Sequence, residues 1–469
     1  MTSSHYGARR AINELTAICE AQWANGLLPQ IRFVPGQSGY RPDAEDWGVT
    51  PAIAGHARVA TSGITQPPII GLCAHEVFCH CPEREGHLAE FLTLADSLER
   101  YHHFLLTARD PFGDDLVVCF HSWETGTDNS PAFEPLLAQT RVYLAEHHIP
   151  VDTFGRADTL YVQAEHRPTA NDYVAYFGLL SLFKQCQYDQ ARIAATTPFL
   201  LQDVLFNCLL VASLDALAKL EDELAELVST DHGANLRQRA AANRAARDRV
   251  AAAIRDKLWS EADGLYYARD ARRGELIRVP TVSSLMPLLA GIASPAQATR
   301  LIEHLLNADE FWTPCPVPST AANHAGFNPQ RYWTGPSWPV TNWLLVRALA
   351  AHHPDVAERL RALTLSMIVA GDPNLSRWRE RAAQVMDFNS IGERVTTPSR
   401  HQYQHAWLWD SAVAALGWMR VAKKPAPFDP GSDGPHFAEY FHPFSGAPLG
   451  APLMTWTAAV FLDLLAGDR

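Results

Sequence analysis

The chain has 469 residues, of which 47% are hydrophobic and 19% are charged, as is typical of a globular protein with a large core. No apolar run approaches the roughly 18 residues of a membrane helix, and the formal net charge of −12 disfavours binding to nucleic acid. Residues 1–15 show a basic pair without an apolar stretch behind it, so the sequence predicts a cytoplasmic protein without a secretory signal.

Apolar residues recur at three- and four-residue steps along most of the chain, which predicts helices. The pattern is clearest in the leucines of 209–227, and it continues through 240–258. Runs of alternating β-branched residues are few and short, so the sequence predicts an all-α protein. The other predicted helices lie near residues 10–26, 86–107, 172–186, 282–306, 340–367, 406–420 and 455–466.

Several loops between the predicted helices are rich in aromatic residues, glycine and proline. Aromatic side chains on loops are suited to stacking on the apolar face of a sugar ring, although a single tryptophan more often fills a junction between helices. No change of composition marks a domain boundary, and alternating short and long loops favour one closed helical toroid over an open solenoid. The aromatic loops are 33–47, 121–135, 311–339 and 425–452.

A group of cysteine and histidine residues raises the question of a metal site. Cys73, His75, Cys79, His80 and Cys81 crowd together. A structural zinc site usually has a second ligand cluster farther along the chain, and none follows here. The sequence therefore predicts neither a metal nor a cofactor, and eight irregularly spaced cysteines fit reduced thiols.

The loop HSWETGTDNSPAFEP, residues 121–135, offers a candidate proton donor. Asp128 stands just after Gly126, whose backbone freedom lets a carboxylate project from the loop. Such a position suits the transfer of a proton to a glycosidic oxygen. The alternative is that Asp128 caps the following helix, with Pro131 in its first turn.

A second candidate acid stands near the other end of the chain. In HFAEYFHPFSGAPLG, residues 436–450, Glu439 is the only acid among aromatic residues. A carboxylate there would lose water and have a raised pKa unless it is paired, although a lone glutamate more often lies on a helix surface. Hydrolysis of an acetal needs one acid at the leaving oxygen and a second carboxylate on the opposite face. Asp128 and Glu439 together therefore predict a glycosidase, on condition that both line one cavity.

Three other acids compete for these roles. Glu124 stands in the same loop as Asp128, Asp203 lies in an apolar helical stretch, and Asp410 ends the segment HQYQHAWLWD. We expect Asp203 to be buried with a structural partner. Asp410 is a candidate for binding sugar hydroxyls or for the general acid itself.

Five motifs span nearly the whole chain in order: SGITQPP at 62–68, WETGTDNSP at 123–131, RPTANDY at 167–173, RYWTGPSW at 331–338 and EYFHPFSG at 439–446. They resemble glycoside hydrolase family 63, and within it the bacterial glucosylglycerate and mannosylglycerate hydrolases. The resemblance implies an (α/α)6 toroid formed by one catalytic domain over residues 1–469, with the sugar in its central cavity. It also implies inverting hydrolysis of a small α-glucoside or α-mannoside without a metal, and glucosylglycerate is the best candidate substrate.

The resemblance further implies roles for individual residues. Asp128 resembles the general acid of the family and Glu439 its general base, with water and a small glycoside as the partners. Arg167 and two or three tyrosines are similar to the group that holds the glycerate carboxylate, for which a planar charged fork is suited. The positions that match the family's substrate site are Tyr40, Gln66, Trp123, Arg167, Tyr173, Tyr332, Trp333, Trp338, Tyr403, Trp407 and Asp410.

Two features depart from the family's pattern. A segment like HQYQHAWLWDSAVAALGW opens the chain in the family, whereas here it stands at 401–418, so the order looks permuted. We expect this segment to insert into the ring and to return Tyr403, Trp407 and Asp410 to the cavity. In addition, Met454 stands where the glucosylglycerate enzymes tend to carry a polar residue that contacts glycerate, so a different acidic or neutral aglycone stays open.

Other functions also stay open. An α,α-trehalase, a glucoamylase-like exo-α-glycosidase or an oligosaccharide-trimming α-glucosidase would share the acid pair without needing Arg167. A non-catalytic sugar-binding scaffold is disfavoured because both acids are intact. The sequence leaves the oligomeric state open, a homo-oligomer included.

Overall fold

The computed structural model describes residues 5–35, 40–56, 59–151, 156, 158–160, 162–389, 406–426 and 437–467. Among these residues, helices dominate, and no helix is long and apolar enough to cross a membrane. The α-helices are α1 (His5–Cys19), α2 (Ala44–Trp47), α3 (Pro51–Ala54), α4 (Ile70–His80), α5 (Leu88–Ala108), α6 (Glu134–Glu146), α7 (Ala170–Gln185), α8 (Gln190–Thr196), α9 (Val204–Ala225), α10 (Thr230–Lys257), α11 (Pro295–Leu306), α12 (Pro339–Ala350), α13 (Pro354–Ile368), α14 (Leu375–Asn389), α15 (Leu408–Met419) and α16 (Thr455–Ala466).

The strands within the described residues are two residues long and form small antiparallel sheets in the order β1-β7, β2-β5-β6, β3-β4 and β8-β9. They join loop segments through backbone hydrogen bonds and do not form a separate layer of the fold. The strands are β1 (Ile31–Arg32), β2 (Leu201–Gln202), β3 (Trp259–Ser260), β4 (Leu265–Tyr266), β5 (Arg269–Asp270), β6 (Glu275–Leu276), β7 (Ala406–Trp407), β8 (Tyr440–Phe441) and β9 (Pro448–Leu449).

The helices form two concentric layers. In the inner layer, α4, α9, the 3₁₀ segment Val282–Gly291, α12, α16 and α15 each pack on the next, and α15 packs on α4, so the ring is closed. The outer layer consists of α1, α5, α10, α11, α13 and α14, each packed against at least one inner element. Six inner and six outer elements are the (α/α)6 arrangement that the family resemblance implied.

The inner helix α9 is buried on all sides over most of its length. Its buried residues include eighteen positions spread around the whole helix, because it is covered by α4, α5, α10 and the segment Val282–Gly291. A helix that is hydrophobic all round is stable only when it is enclosed in this way. The inner ring therefore holds the core of the molecule.

Two of the predicted long helices are broken, so their prediction as continuous helices was wrong. The stretch 340–367 divides before Pro354, which opens α13 because proline is favoured in the first turn of a helix. The stretch 282–306 divides at Ala290 and Gly291, where φ is 55° and 64°, and a helix does not continue through left-handed backbone. The sequence pattern also missed α4, α6 and α14.

The late helix α15 lies in the inner ring between α16 and α4, so the spatial order of the ring differs from the chain order. Just before it, β7 pairs with β1, and the backbone N–H of Leu408 donates to the carbonyl of Gln30 at 2.9 Å. Residues 406–418 therefore lie within the ring. Tyr403, with the rest of 401–405, lies outside the described residues.

Candidate active site

A cavity of about 370 Å³ is lined by loops and helix ends that are far apart in the chain. Its volume lies within the roughly 300–1,000 Å³ of small-molecule sites. Both candidate acids and most of the aromatic residues singled out by the sequence lie on its wall. The predicted site residues that line the cavity are Tyr40, Gln66, Trp123, Asp128, Arg167, Tyr173, Tyr332, Trp333, Trp407, Asp410 and Glu439.

Glu439 is held in the wall by three charged or backbone donors. It stands just before β8 and is 4% exposed. The guanidinium of Arg167 donates to both carboxylate oxygens, at 3.1 Å to Oε1 and 2.7 Å to Oε2, and the backbone N–H of Ala451 donates to Oε2 at 2.9 Å. A two-pronged ion pair of this kind stabilises negative charge and fixes the orientation of the carboxylate.

Asp128 is in a different electrostatic state. It follows Gly126, where φ is 76° and an added Cβ would lie 2.2 Å from the ring of Trp409, so glycine lets the loop approach α15 closely. The backbone carbonyl of Asp128 accepts a hydrogen bond from Tyr176 at 3.2 Å. Burial, reinforced by the charge of Glu439, raises the pKa of Asp128 to about 7. Below that pH its carboxyl carries a proton, while the carboxylate of Glu439 is paired with a cation.

Several polar atoms on the cavity wall are buried without a hydrogen-bond partner among the described residues. They are Oδ1 of Asp410, Oε1 of Gln30, Nε of Arg167 and the indole Nε1 atoms of Trp47, Trp409 and Trp456. An unpaired buried polar group costs roughly 1–3 kcal/mol, so their convergence on one cavity indicates a ligand that supplies many hydrogen bonds. Burial also raises the pKa of Asp410 to about 7.

Gln66 connects the early loop of 62–68 to the late helix α15. Its side-chain oxygen accepts a hydrogen bond from the backbone N–H of Trp409 at 3.1 Å, and its backbone carbonyl accepts one from Tyr101 at 2.9 Å. The side chain thus satisfies one of the free N–H groups in the first turn of α15. Asp410 is the next residue in this first turn.

The aromatic loop 311–339 forms another part of the wall. Asn129 accepts a hydrogen bond from the backbone N–H of Trp333 at 2.9 Å, which ties this loop to the one that carries Asp128. Tyr332 has φ of 40°, a conformation that costs about 1–3 kcal/mol outside glycine and that is common at functional sites. Its ring lies 5.0 Å from the guanidinium carbon of Arg167.

Trp338 occupies a different place from the one the sequence suggested. It is fully buried and stacks on Trp333, with ring centroids 3.7 Å apart and planes 2° apart. Its ring also packs against Tyr440 at 4.5 Å. Trp338 therefore supports the wall from behind and is not expected to touch a substrate directly.

The sequence analysis missed a polar group on the same cavity. Arg156 donates to both oxygens of Asp158, at 3.1 and 2.8 Å, and its guanidinium lies 4.3 Å from the ring of Tyr173. Tyr173 in turn donates to Asp158 at 2.8 Å. No motif or spacing marks Arg156 and Asp158, and only their position in space reveals them.

Two of the competing acids have structural roles. Glu124 is fully buried and paired with Arg109, and it also accepts a hydrogen bond from the backbone N–H of Phe120 at 2.7 Å. Asp203 is the N-cap of α9 and accepts a hydrogen bond from Phe206 at 2.8 Å, which confirms the expected structural partner. Neither of these two lines the cavity, whereas Asp410 does.

Met454 lies on the cavity wall at the N-terminus of α16. Its thioether accepts hydrogen bonds weakly and donates none. The departure noted in the sequence therefore falls on the cavity itself.

The profile of the family "Mannosylglycerate hydrolase MGH1-like glycoside hydrolase domain" matches residues 1–382. The chain belongs to this family. Among the relatives of this chain, a mannosylglycerate hydrolase from Rubrobacter radiotolerans is 35% identical over 363 residues, which are 76% of this chain and 78% of that protein. A glucosylglycerate hydrolase from Mycolicibacterium hassiacum is 27% identical, over 97% of this chain and 87% of that protein.

The fold of this chain is also found in a solved structure. The crystal structure of the GH63 mannosylglycerate hydrolase from Thermus thermophilus in complex with Tris matches with a TM-score of 0.68 and 25% identity, covering 98% of this chain and 92% of that one. The predicted (α/α)6 toroid is thereby confirmed. An inverting mechanism is general for glycoside hydrolase family 63.

Proposed function

We propose that this glycoside hydrolase cleaves an α-hexoside of glycerate or of a similar small acid, with Asp128 as general acid and Glu439 as general base. The observation that carries the proposal is the pair of unlike carboxyl groups on one cavity. Asp128 has a raised pKa that keeps its proton near neutral pH, and Glu439 is a carboxylate fixed by Arg167. An inverting glycosidase needs these two states.

In the proposed reaction, Glu439 takes a proton from a water molecule as the water attacks the anomeric carbon. Asp128 gives its proton to the glycosidic oxygen as the bond to the aglycone breaks. The water enters on the face opposite the leaving group, so an α-glycoside yields a β-sugar. At the end Glu439 is protonated and Asp128 is ionised, and exchange with solvent restores both.

The proposed sugar subsite is formed by the segment that precedes and begins α15. Asp410 offers a buried, unpartnered carboxyl oxygen, and the indole N–H of Trp409 is a buried donor. Trp407 packs edge-to-face on Tyr40 at 5.5 Å, giving an aromatic surface beside them. We propose that this segment takes the place of the helix that opens the chain in other members of the family, and that the toroid over 1–469 is one catalytic domain.

The proposed aglycone subsite uses Arg167, which donates two hydrogen bonds to the carboxylate of Glu439. Its Nε is buried and without a hydrogen-bond partner among the described residues, so one donor is available for a carboxylate of the substrate. Arg156 supplies a second guanidinium on the same wall. Because Arg167 also orients Glu439, its removal should damage the hydrolysis of neutral and acidic glycosides alike, and Arg156 is the better reporter of aglycone binding.

The direct test is to follow the hydrolysis of α-mannosylglycerate, α-glucosylglycerate, α,α-trehalose and methyl α-glycosides by NMR. We expect the β-anomer of the sugar as the first product, and a kcat/KM for a glycerate glycoside about 10- to 100-fold above that of the methyl glycoside, since charged hydrogen bonds are worth about 1.5–3 kcal/mol. An initial α-product would refute the role of Glu439 as a base. Equal kcat/KM values for acidic and neutral substrates would refute the proposed acidic aglycone, but not the proposed roles of Asp128 and Glu439.

The pKa of Asp128 also predicts the pH dependence of hydrolysis. Since the proposed acid must be protonated and its pKa is about 7, kcat/KM should fall as the pH rises above about 7. The measurement is a pH profile of wild type and of Asp410→Asn, because the pKa of Asp410 is raised to about 7 as well. The fall should persist in Asp410→Asn, and its disappearance there would assign it to Asp410 instead.

A further inference from the structure

A group of three side chains outside the cavity joins two inner helices. His75 and Cys79 lie one turn apart on α4, and Glu223 lies on α9. His75 Nε2 is 3.2 Å from Glu223 Oε1 and 3.3 Å from Cys79 Sγ, and the three candidate ligand atoms lie within 4.8 Å of one another. Cys79 is exposed and the side chain of Glu223 is 41% exposed, so the group is accessible from solution.

Nε2 of His75 cannot make a strong hydrogen bond to both of its neighbours at once. With a proton on Nε2, His75 donates to Glu223, and Nε2 then has no lone pair left to accept from the thiol of Cys79. Without that proton, the ring accepts from the thiol and leaves the carboxylate of Glu223 without this donor. Only one of the two close contacts is therefore a good hydrogen bond at any time, whereas a cation would accept electron pairs from all three atoms.

We propose that His75, Cys79 and Glu223 bind a zinc-type divalent metal ion, with water as the fourth ligand. Zinc bonds of about 2.0–2.3 Å at tetrahedral angles place neighbouring ligand atoms roughly 3.3–3.7 Å apart. The two separations at His75 are already close to this spacing. A mixed nitrogen, sulfur and oxygen set suits zinc or cobalt, and it is unsuited to magnesium.

The rest of the cysteine and histidine cluster in the sequence does not take part. Cys73 and Cys81 are buried, and Nδ1 of His80 contacts the carbonyl of Glu76 in its own helix at 2.9 Å. The expectation of no metal relied on the lack of a second cluster in the sequence. Here the third ligand comes from a neighbouring helix, where a lone glutamate carries no signal.

The consequence of such a site is a bridge between α4 and α9. An ion bound in the native state alone stabilises the fold in proportion to its concentration. The three residues are absent from the lining of the described cavity, so the expected effect is on stability and not on the chemistry of hydrolysis.

The test is to titrate the chelator-treated, phosphine-reduced full chain with Co²⁺ and record its absorption. We expect a thiolate-to-cobalt charge-transfer band that saturates at about one equivalent, is displaced by Zn²⁺ and is unaffected by Mg²⁺. Cys79→Ser should abolish the band. Glu223→Gln should lower the affinity by more than about tenfold, because even outer partners of metal ligands change affinity 10- to 100-fold.

The matched control is Cys315→Ser, the same change at another partly exposed cysteine. It should keep the band, and the melting temperature of wild type and of this control should rise with Zn²⁺, whereas that of Cys79→Ser should not. The proposal is wrong when wild type shows no such band at one equivalent, or when the band survives in Cys79→Ser. Neither readout uses glycoside hydrolysis, so the result is independent of the proposed function.

Discussion

Asp128→Asn should lower kcat for glycerate glycosides by about 10²- to 10⁴-fold, because asparagine keeps the shape of the side chain but has no proton to give to the leaving oxygen. This corresponds to about 3 to 5 kcal/mol of transition-state stabilisation. The same variant should keep much more of its activity on the α-glycosyl fluoride of the preferred sugar, since fluoride leaves with little protonation. The measurement is kcat on both substrates for wild type and variant.

The matched control for this prediction is Asp203→Asn. Asp203 is also buried with a pKa raised to about 7, but it caps α9 away from the cavity, and asparagine caps a helix as well as aspartate does. Its kcat should stay close to that of wild type. Equal losses in Asp128→Asn and Asp203→Asn, or an equal loss on the fluoride and the natural glycoside, would contradict the role of Asp128 as the acid.

The raised pKa of Asp128 also determines how the stability of Asp128→Asn, relative to wild type, changes with pH. A carboxyl group with a pKa of about 7 in the folded state and an ordinary, lower value in the unfolded state stabilises the fold at low pH and loses that contribution as the pH rises towards 7. The melting temperature of Asp128→Asn relative to wild type should therefore increase between about pH 4 and 7. A variant that melts no lower than wild type near pH 7 is folded in the assay, so its loss of activity would not come from unfolding.

Glu439→Ala should lower kcat by a similar factor of about 10²- to 10⁴-fold, because water then attacks without a base. Azide should restore part of the activity, since this nucleophile has no proton to lose, and the product should be the β-glycosyl azide. The measurement is product analysis by NMR with and without azide. An α-glycosyl azide would indicate a covalent intermediate and would overturn the inverting role.

Glu439→Ala also leaves Arg167 without its carboxylate partner. Breaking a buried ion pair from one side costs about 3–5 kcal/mol, so the melting temperature should fall as well. Glu439→Gln is the companion variant, since it removes the base but keeps an oxygen that accepts from Arg167. Its melting temperature should lie between those of wild type and Glu439→Ala, while its kcat should be as low as that of Glu439→Ala.

Local patterns in the sequence predicted the all-α class of the fold well, but they predicted the ends of the individual helices poorly. The apolar steps of α9 and α16 are strong because both helices are enclosed. The breaks at Ala290 and before Pro354 were missed because apolar residues continue on both sides of each break. Periodicity reports which residues face the core, and it does not report where the backbone leaves the helix.

Most of the cavity residues that could be predicted individually stand in motifs shared with the family. Asp128, Glu439 and Arg167 stand in such motifs, and the structure brings them to one wall. The ion pair between Arg167 and Glu439 was not foreseen, since the two residues belong to motifs far apart in the chain and no local signal links them. Arg156 was missed for the same reason, because its role depends on a neighbour in space.

The position of α15 in the ring bears on how the molecule is assembled. The last arc of the inner ring, between α12 and α4, is formed by α16 and α15, which leave the ribosome after most of the chain, and β7 must pair with β1 near the start. Contacts across such distances in sequence form slowly, and the incomplete ring exposes apolar surface in the meantime. A nascent chain that lacks these two helices would leave the ring open beside the proposed sugar subsite, so activity should emerge only when synthesis is nearly complete.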